Sequence, residues 1–548
     1  MIKKSTLLLL FLSLFIKTYS QKKNSKNNIK PKLVVGIVVD QMRYDYITRF
    51  YNRFGDGGFK KIIENGFTLE NAHFNYIPTY TAVGHTSVYT GTTPNNHGII
   101  SNNWYDKYLK ESIYCVTDTN YNSVGSDSKR GQRSPFRLMT TTITDQLHLA
   151  QNNKGKTIGI ALKDRSAILP VGHTANAAYW YDGGLQGNFI TSSFYMDNLP
   201  NWVNDFNNKK VPEKYLSKTW NTLYDIKTYT NSFDDNNDFE GTFKGKETPT
   251  FPYNLKELKD ENGNLGMINN TPFGNSLTLD FAKAAIENEN LGKGSYTDFL
   301  AISFSSTDYI GHKFGPQSIE IEDTYLRLDK DIEKLINYLD TKVGKSNYTL
   351  FLTADHGAVH VPSYLQSLKI PAHYLGTLNI KNFLKKVTLK YFKSDKLIEN
   401  FSNYQIFLNK ETIESLGFSK KEVADKIVEE IINCEGIYKA ITANTLQTTY
   451  FNSGILNSLQ NGYNQKFSGD VLLIPYPATL TGGRKGTSHG SGYNYDTHVP
   501  IIFYGNGIKT GKSSKRHHII DIAPTIANLL QIEPSNAATG KVIVEALK

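Results

Sequence analysis

At 548 residues the chain exceeds what one ordinary hydrophobic core organises, so a large catalytic domain with insertions or a second lobe is expected. Hydrophobic residues make up 39% and aromatic residues 12%, which excludes a disordered chain. The formal net charge is +10, but residues 1–32 hold eight lysines and no acid and leave +2 for the remainder, which excludes a basic nucleic-acid-binding module.

The chain opens with Lys3 and Lys4, an apolar stretch from Leu7 to Ile16, and small or polar residues around Thr18 to Ser20. This is the pattern of a signal peptide over residues 1–20, and it is short for a membrane span. A retained anchor is the alternative. No cysteine follows the apolar stretch, so a lipid attachment point of the lipoprotein kind is missing. The expected location is secreted or periplasmic, with no membrane span after signal removal. Residues 21–32 read as a basic, solvated linker. Cys115 and Cys434 are the only cysteines, too few for a disulfide scaffold, and their separation leaves pairing open.

Residues 33–548 are expected to form the catalytic domain. Short apolar runs from Leu33 to Val39, Thr157 to Leu162, Phe299 to Phe304, Thr349 to Thr353 and Val499 to Tyr504 read as buried strands with helical segments between them. That alternation predicts an α/β fold, a three-layer α/β/α sandwich around a mostly parallel central sheet. Ile321, Tyr325, Leu328, Ile332, Leu335, Ile336 and Leu339 keep helical spacing and predict a core-packing helix. A last helix is expected from Asp521 to Leu530, with Pro524 in its first turn. Two stretches, about 175–295 and 362–480, break the alternation and read as insertions that build a loop-rich cap. The acidic run Asp234 to Asp238 lacks the spacing of a calcium loop and reads as a solvated turn.

Chemistry concentrates at the strand ends. Asp40 follows the first apolar run; Asp355 and His356 follow the fourth; Asp308 and His312 lie four apart; His489 stands in Gly-Thr-Ser-His-Gly. Carboxylates and imidazoles without thiolates suit zinc held for catalysis, where a position stays open for substrate. Open α/β sheets place such groups at strand ends. Thr81 precedes a short helical segment ending at Gly91, so it would sit at a helix N-terminus, where exposed N–H groups and the dipole favour an anion.

These blocks resemble the alkaline phosphatase superfamily, and within it the PafA-type bacterial alkaline phosphatases. The pieces that carry the resemblance are Val39-Asp40-Gln41, Thr79 to His85, His97 to Tyr105, Lys163-Asp-Arg165, Asp308 to His312, Ala354 to Gly357 and Gly486 to His489, in family order. The resemblance implies two zinc ions per chain. One would be held by Asp308, His312 and His489, the other by Asp40, Asp355 and His356, with Thr81 bound to it as nucleophile. It implies a broad-specificity phosphomonoesterase, an alkaline phosphatase working through a phosphothreonine, with Lys163 where other alkaline phosphatases keep a magnesium site.

Lys163 and Arg165, two apart after a strand, are expected to emerge on one face and to stabilise the charge that a monoester carries and a diester lacks. Asn102 would donate to another phosphoryl oxygen. The alternative is a nucleotide pyrophosphatase/phosphodiesterase on the same scaffold. The expected partners are small phosphate monoesters, and the chain is expected to be a monomer. His85 and His97 are candidates for supporting contacts, and Thr79 reads as structural.

Overall fold

The computed structural model describes residues 30–184 and 186–548; the signal peptide expected at 1–20 and most of the linker lie outside them. An eleven-stranded sheet runs through the molecule. Its principal strands are β1 (Leu33–Val39), β2 (Phe67–His73), β3 (Thr157–Ala161), β4 (Ala177–Asp182), β5 (Asn188–Ser192), β6 (Asp298–Phe304), β7 (Tyr348–Thr353) and β8 (His498–Gly505). Their spatial order is β2-β8-β7-β1-β6-β3-β4-β5. The run from β7 to β4 is parallel throughout, and β8, β2 and β5 enter by antiparallel pairing. β1, at the centre, is buried at every residue. That burial on both faces is why it reads as an unbroken apolar run and not as an alternating one.

Helices cover both faces. On one side α1 (Thr81–Thr90), α2 (Asp164–Val171) and the terminal α6 (Ile522–Leu530) pack together; on the other α3 (Phe273–Asn288), α4 (Ser306–Phe314) and α5 (Ile319–Leu339) do so. The result is the expected α/β/α arrangement. The helix expected from Ile321 begins at Ile319, because Ser318 caps it by accepting from the Ile321 amide. The terminal helix starts at Ile522, after a single 3₁₀ turn, Ile519–Asp521.

The two stretches that break the alternation behave differently. The stretch 175–295 begins by extending the central sheet with β4 and β5, then turns into short helices and loops, and ends in α3, which covers one face of that sheet. The stretch 362–480 builds a lobe with its own four-stranded sheet and its own apolar cluster, including Leu384, Ile406, Val423, Ile427 and Leu473. Cys115 and Cys434 are both buried and unpaired.

Candidate active site

The parallel strands all point their C-terminal ends at one edge of the sheet, and the expected site residues gather there. Asp40 follows β1, Lys163 stands just beyond β3, Asp308 and His312 sit on α4 just beyond β6, and Asp355 and His356 follow β7. Thr81 is the first residue of α1, after Tyr80 in extended conformation. Gly84 lets that helix come close: a Cβ there would stand 2.1 Å from the Asp355 carbonyl oxygen. His489 arrives from the loop before β8.

Two clusters result. Asp308, His312 and His489 form one, Asp40, Asp355 and His356 the other, and each set offers ligand atoms within 4.8 Å of one another. In the first, Nε2 of His312 and of His489 lie 3.1 and 3.7 Å from Asp308 Oδ1. In the second, His356 Nε2 is 3.5 Å from both Asp40 Oδ1 and Asp355 Oδ2. The His356 and His489 rings stack with centroids 3.4 Å apart, so the clusters adjoin. Thr81 Oγ1 is 3.4 Å from His356 Nε2.

The tautomers follow from backbone contacts. Nδ1 of His312, His356 and His489 faces the carbonyl oxygens of Thr487, Gly357 and Thr79 at 2.8, 2.9 and 2.7 Å. A carbonyl only accepts, so each Nδ1 carries a proton and each Nε2 is the nitrogen turned to its cluster, the one that would ligate a cation placed there. Burial also lowers the pKa of His356 and His489, keeping them in the neutral form that binds metals.

Charge makes the same point. Three buried carboxyl groups face a single ammonium, Lys163 Nζ, which donates to Asp40 Oδ2 at 2.7 Å and Asp308 Oδ2 at 2.5 Å. Burial, then the neighbouring Asp308 and Asp355, pushes the Asp40 carboxyl well above the usual carboxylate range. Burial opposes charge on Asp308 too, but His312 and Lys163 beside it win and hold it well below that range. Asp40 Oδ1 and Asp355 Oδ2 are buried without a hydrogen-bond partner. Orphaned acceptors among surplus negative charge fit bound cations, so the donor sets suit metal ions.

Lys163 and Arg165 are adjacent for a reason other than strand alternation. β3 ends at Ala161, Lys163 is the N-cap of α2 and Arg165 belongs to the first turn of that helix. Arg165 Nη1 donates to the Tyr114 hydroxyl at 3.1 Å, while its buried Nε has no partner. Asn102 Oδ1 accepts from the Ala82 amide at 2.9 Å, which caps α1 from a distant loop and leaves the Asn102 amino group uncommitted.

His85 Nδ1 lies 2.9 Å from the Thr81 carbonyl oxygen and 3.3 Å from Asp355 Oδ2, so it supports both. His97 instead contacts Ser87 and the Ile99 amide, and takes no part in the clusters. Thr79 hydrogen-bonds the Ser491 carbonyl and is structural. Gln41, which enters the sequence only as part of the Val39-Asp40-Gln41 block, has a structural role as well. It adopts φ 63°, and its amide and side chain donate to Asp355 Oδ1 at 3.1 Å and Asp308 Oδ1 at 2.6 Å. It touches both clusters, and no residue pattern signals a left-handed glutamine.

Residues 34–499 match the family described as type I phosphodiesterase / nucleotide pyrophosphatase. The chain is 48% identical to a protein of Myroides odoratus named calcium-transporting ATPase, with 95% of each chain covered. It is 47% identical to alkaline phosphatase PhoV of Synechococcus elongatus, covering 95% of this chain and 93% of that one. The crystal structure of wild-type alkaline phosphatase PafA superposes with a TM-score of 0.91 at 44% identity, over 95% of this chain and 99% of that one. With a site of this make-up and a match over most of its length, the chain belongs to the type I phosphodiesterase/nucleotide pyrophosphatase family of the alkaline phosphatase superfamily.

Proposed function

We propose that the protein is an exported phosphomonoesterase, an alkaline phosphatase that works through a phosphothreonine at Thr81 with two zinc ions. The observation that carries this reading is the adjoining pair of three-residue donor clusters, one of them beside Thr81, with Lys163 bonded to a carboxylate of each. Asp308, His312 and His489 would hold one ion, and Asp40, Asp355 and His356 the other. When bound, such ions make an oxygen nucleophile available at moderate pH and offset charge on a leaving oxygen.

The chain's own residues do the rest. The N-terminus of α1 receives the phosphoryl group, since its free amides and dipole favour an anion. Thr81 Oγ1 attacks phosphorus, the bond to the ester oxygen breaks, and the alcohol leaves on the side of His489. Lys163, the Arg165 fork and the Asn102 amino group stabilise the transferring oxygens. Water then attacks the phosphothreonine from the vacated side, releasing phosphate and restoring the hydroxyl.

The Lys163–Arg165 pair favours a monoester over the diester substrates of a nucleotide pyrophosphatase, because a diester caps an oxygen they would contact. The names of PhoV and PafA agree with this reading. The transport name of the Myroides relative finds less support, since no helix among the described residues is long and apolar enough to cross a membrane. Paired assays of the zinc-loaded protein on an aryl phosphomonoester and the corresponding diester test the proposal. A monomeric state and the division into signal peptide, linker and catalytic domain with two insertions complete it.

A further inference from the structure

The lobe from the second insertion closes a cavity of about 210 Å3 against the catalytic body. Tyr80, Tyr404, Tyr493, Tyr495, Ile474 and Leu480 line it, and His489 bounds it on the cluster side. Tyr80, which precedes Thr81, meets the His489 ring edge-on with centroids 5.7 Å apart. The cavity therefore begins where an alcohol departing past His489 would go.

Asp496 also lines this space and is 1% exposed. Its Oδ2 accepts from the Gly490 amide, the Ser491 amide and the Ser491 hydroxyl at 3.1, 2.7 and 2.6 Å. Its Oδ1 is buried with no partner. A buried carboxylate oxygen left without a donor is costly, and a ligand N–H or O–H would satisfy it.

Tyr404 occupies an unusual place. It and Asn403 form the two-residue turn between strands Ile398–Ser402 and Gln405–Leu408, at φ 57° and 53°. Asparagine tolerates that left-handed conformation, but a bulky aromatic residue adopts it at a cost. Surrounding contacts hold the turn. Asn403 Nδ2 donates to the backbone carbonyl of Asn103 at 2.7 Å, beside Asn102, and the Tyr404 hydroxyl bonds that of Thr481. Strain kept at a tip that reaches the site points to a function for the ring it presents.

We propose that this cavity receives the leaving group, and that it selects an aromatic alcohol carrying an N–H or O–H donor. The ring would lie among the tyrosines, with Tyr404 as the specificity-determining wall, and the donor would reach Asp496 Oδ1. This rests on the phosphomonoesterase reading and deepens it. It makes the inserted lobe part of substrate selection, so the cavity discriminates by leaving group while the Lys163–Arg165 side discriminates by phosphoryl charge.

The test uses the full zinc-loaded protein with 4-acetamidophenyl phosphate, 4-methylphenyl phosphate and glycerol phosphate. The kcat/KM ratio of 4-acetamidophenyl phosphate to glycerol phosphate should fall about tenfold in Tyr404→Ala. Leu480→Trp, which fills the cavity and leaves the Tyr404 side chain in place, should lower it in the same way and serves if Tyr404→Ala does not fold. Free 4-acetamidophenol should inhibit glycerol phosphate turnover competitively in the wild type, more strongly than 4-methylphenol, and lose that inhibition in both variants. An unchanged ratio together with no inhibition by 4-acetamidophenol overturns the assignment while leaving the phosphatase intact. Failure of the wild type to hydrolyse any of the three esters overturns both readings.

Discussion

The His489 ring donates through Nδ1 to the backbone carbonyl of Thr79 at 2.7 Å, two residues before Thr81. One imidazole thus offers a ligand nitrogen to its cluster and ties the loop before β8 to the segment that presents the proposed nucleophile. His489→Ala should lower metal content from about two ions to about one and cut monoester turnover by about 100-fold or more. Metal analysis alongside kinetics reads both effects, and the circular dichroism spectrum should stay that of the parent.

Thr81→Ala should abolish the phosphorylated enzyme and lower kcat/KM by roughly three orders of magnitude, with a residue of activity left from the positive site acting on water. Acid trapping followed by peptide mapping checks it. Phosphate recovered on Thr79 would contradict the geometry, in which the Thr79 hydroxyl is spent on the Ser491 carbonyl.

Chelation should remove activity, and about two equivalents of zinc should restore it. The stripped protein should also melt lower, since ions that bind only the folded state stabilise it. The cause lies in the buried carboxylates: Asp40 Oδ1 and Asp355 Oδ2 accept no hydrogen bond and meet only imidazoles, at 3.3 Å and beyond. Calorimetry with and without zinc measures this separately from turnover.

Much of the architecture was legible because buried parallel strands are apolar at every position. Leu33–Val39 is one such run, and an aspartate directly after it, as at Asp40, stands out by contrast. Other features left no such trace. The antiparallel sense of β8 has no local signature, because its residues are as apolar as those of a parallel strand. Lys163 and Arg165 came together at a helix start, and a period of two was the wrong reason for a correct neighbourhood. The lobe in 362–480 read only as mixed sequence, since its sheet closes by pairing Gln405–Leu408 with Val471–Pro475, more than sixty residues on. Gln41 was invisible as a link between clusters, because the link depends on a backbone angle.

A buried acid pair away from the site sets a pH dependence of stability. Glu240 and Glu320 are each 1% exposed, and burial raises both carboxyl pKa values above the ordinary 4.5, with Glu320 adding to the shift on Glu240. Groups raised in the folded state favour folding while protonated. Their contribution is complete below the unfolded value and is lost as pH rises through the folded values. Glu240→Gln removes its share of that loss, so its melting temperature relative to the parent should climb between pH 5 and pH 9. Thermal melts at those two pH values suffice, and a constant difference would show that the pair carries no proton.

Lys163 and Arg165 are expected to make this site a monoesterase. The most direct measurement is kcat/KM on an aryl phosphomonoester and its diester, for the parent and for the Lys163→Ala/Arg165→Ala variant, at matched zinc content. Each lost charge-assisted contact should cost roughly 2–4 kcal/mol of transition-state stabilisation on the monoester. Monoester turnover should therefore fall by several orders of magnitude while diester turnover changes far less, and the preference should narrow or invert. Equal losses on both substrates, or a parent that prefers the diester, would contradict the account and favour the phosphodiesterase alternative.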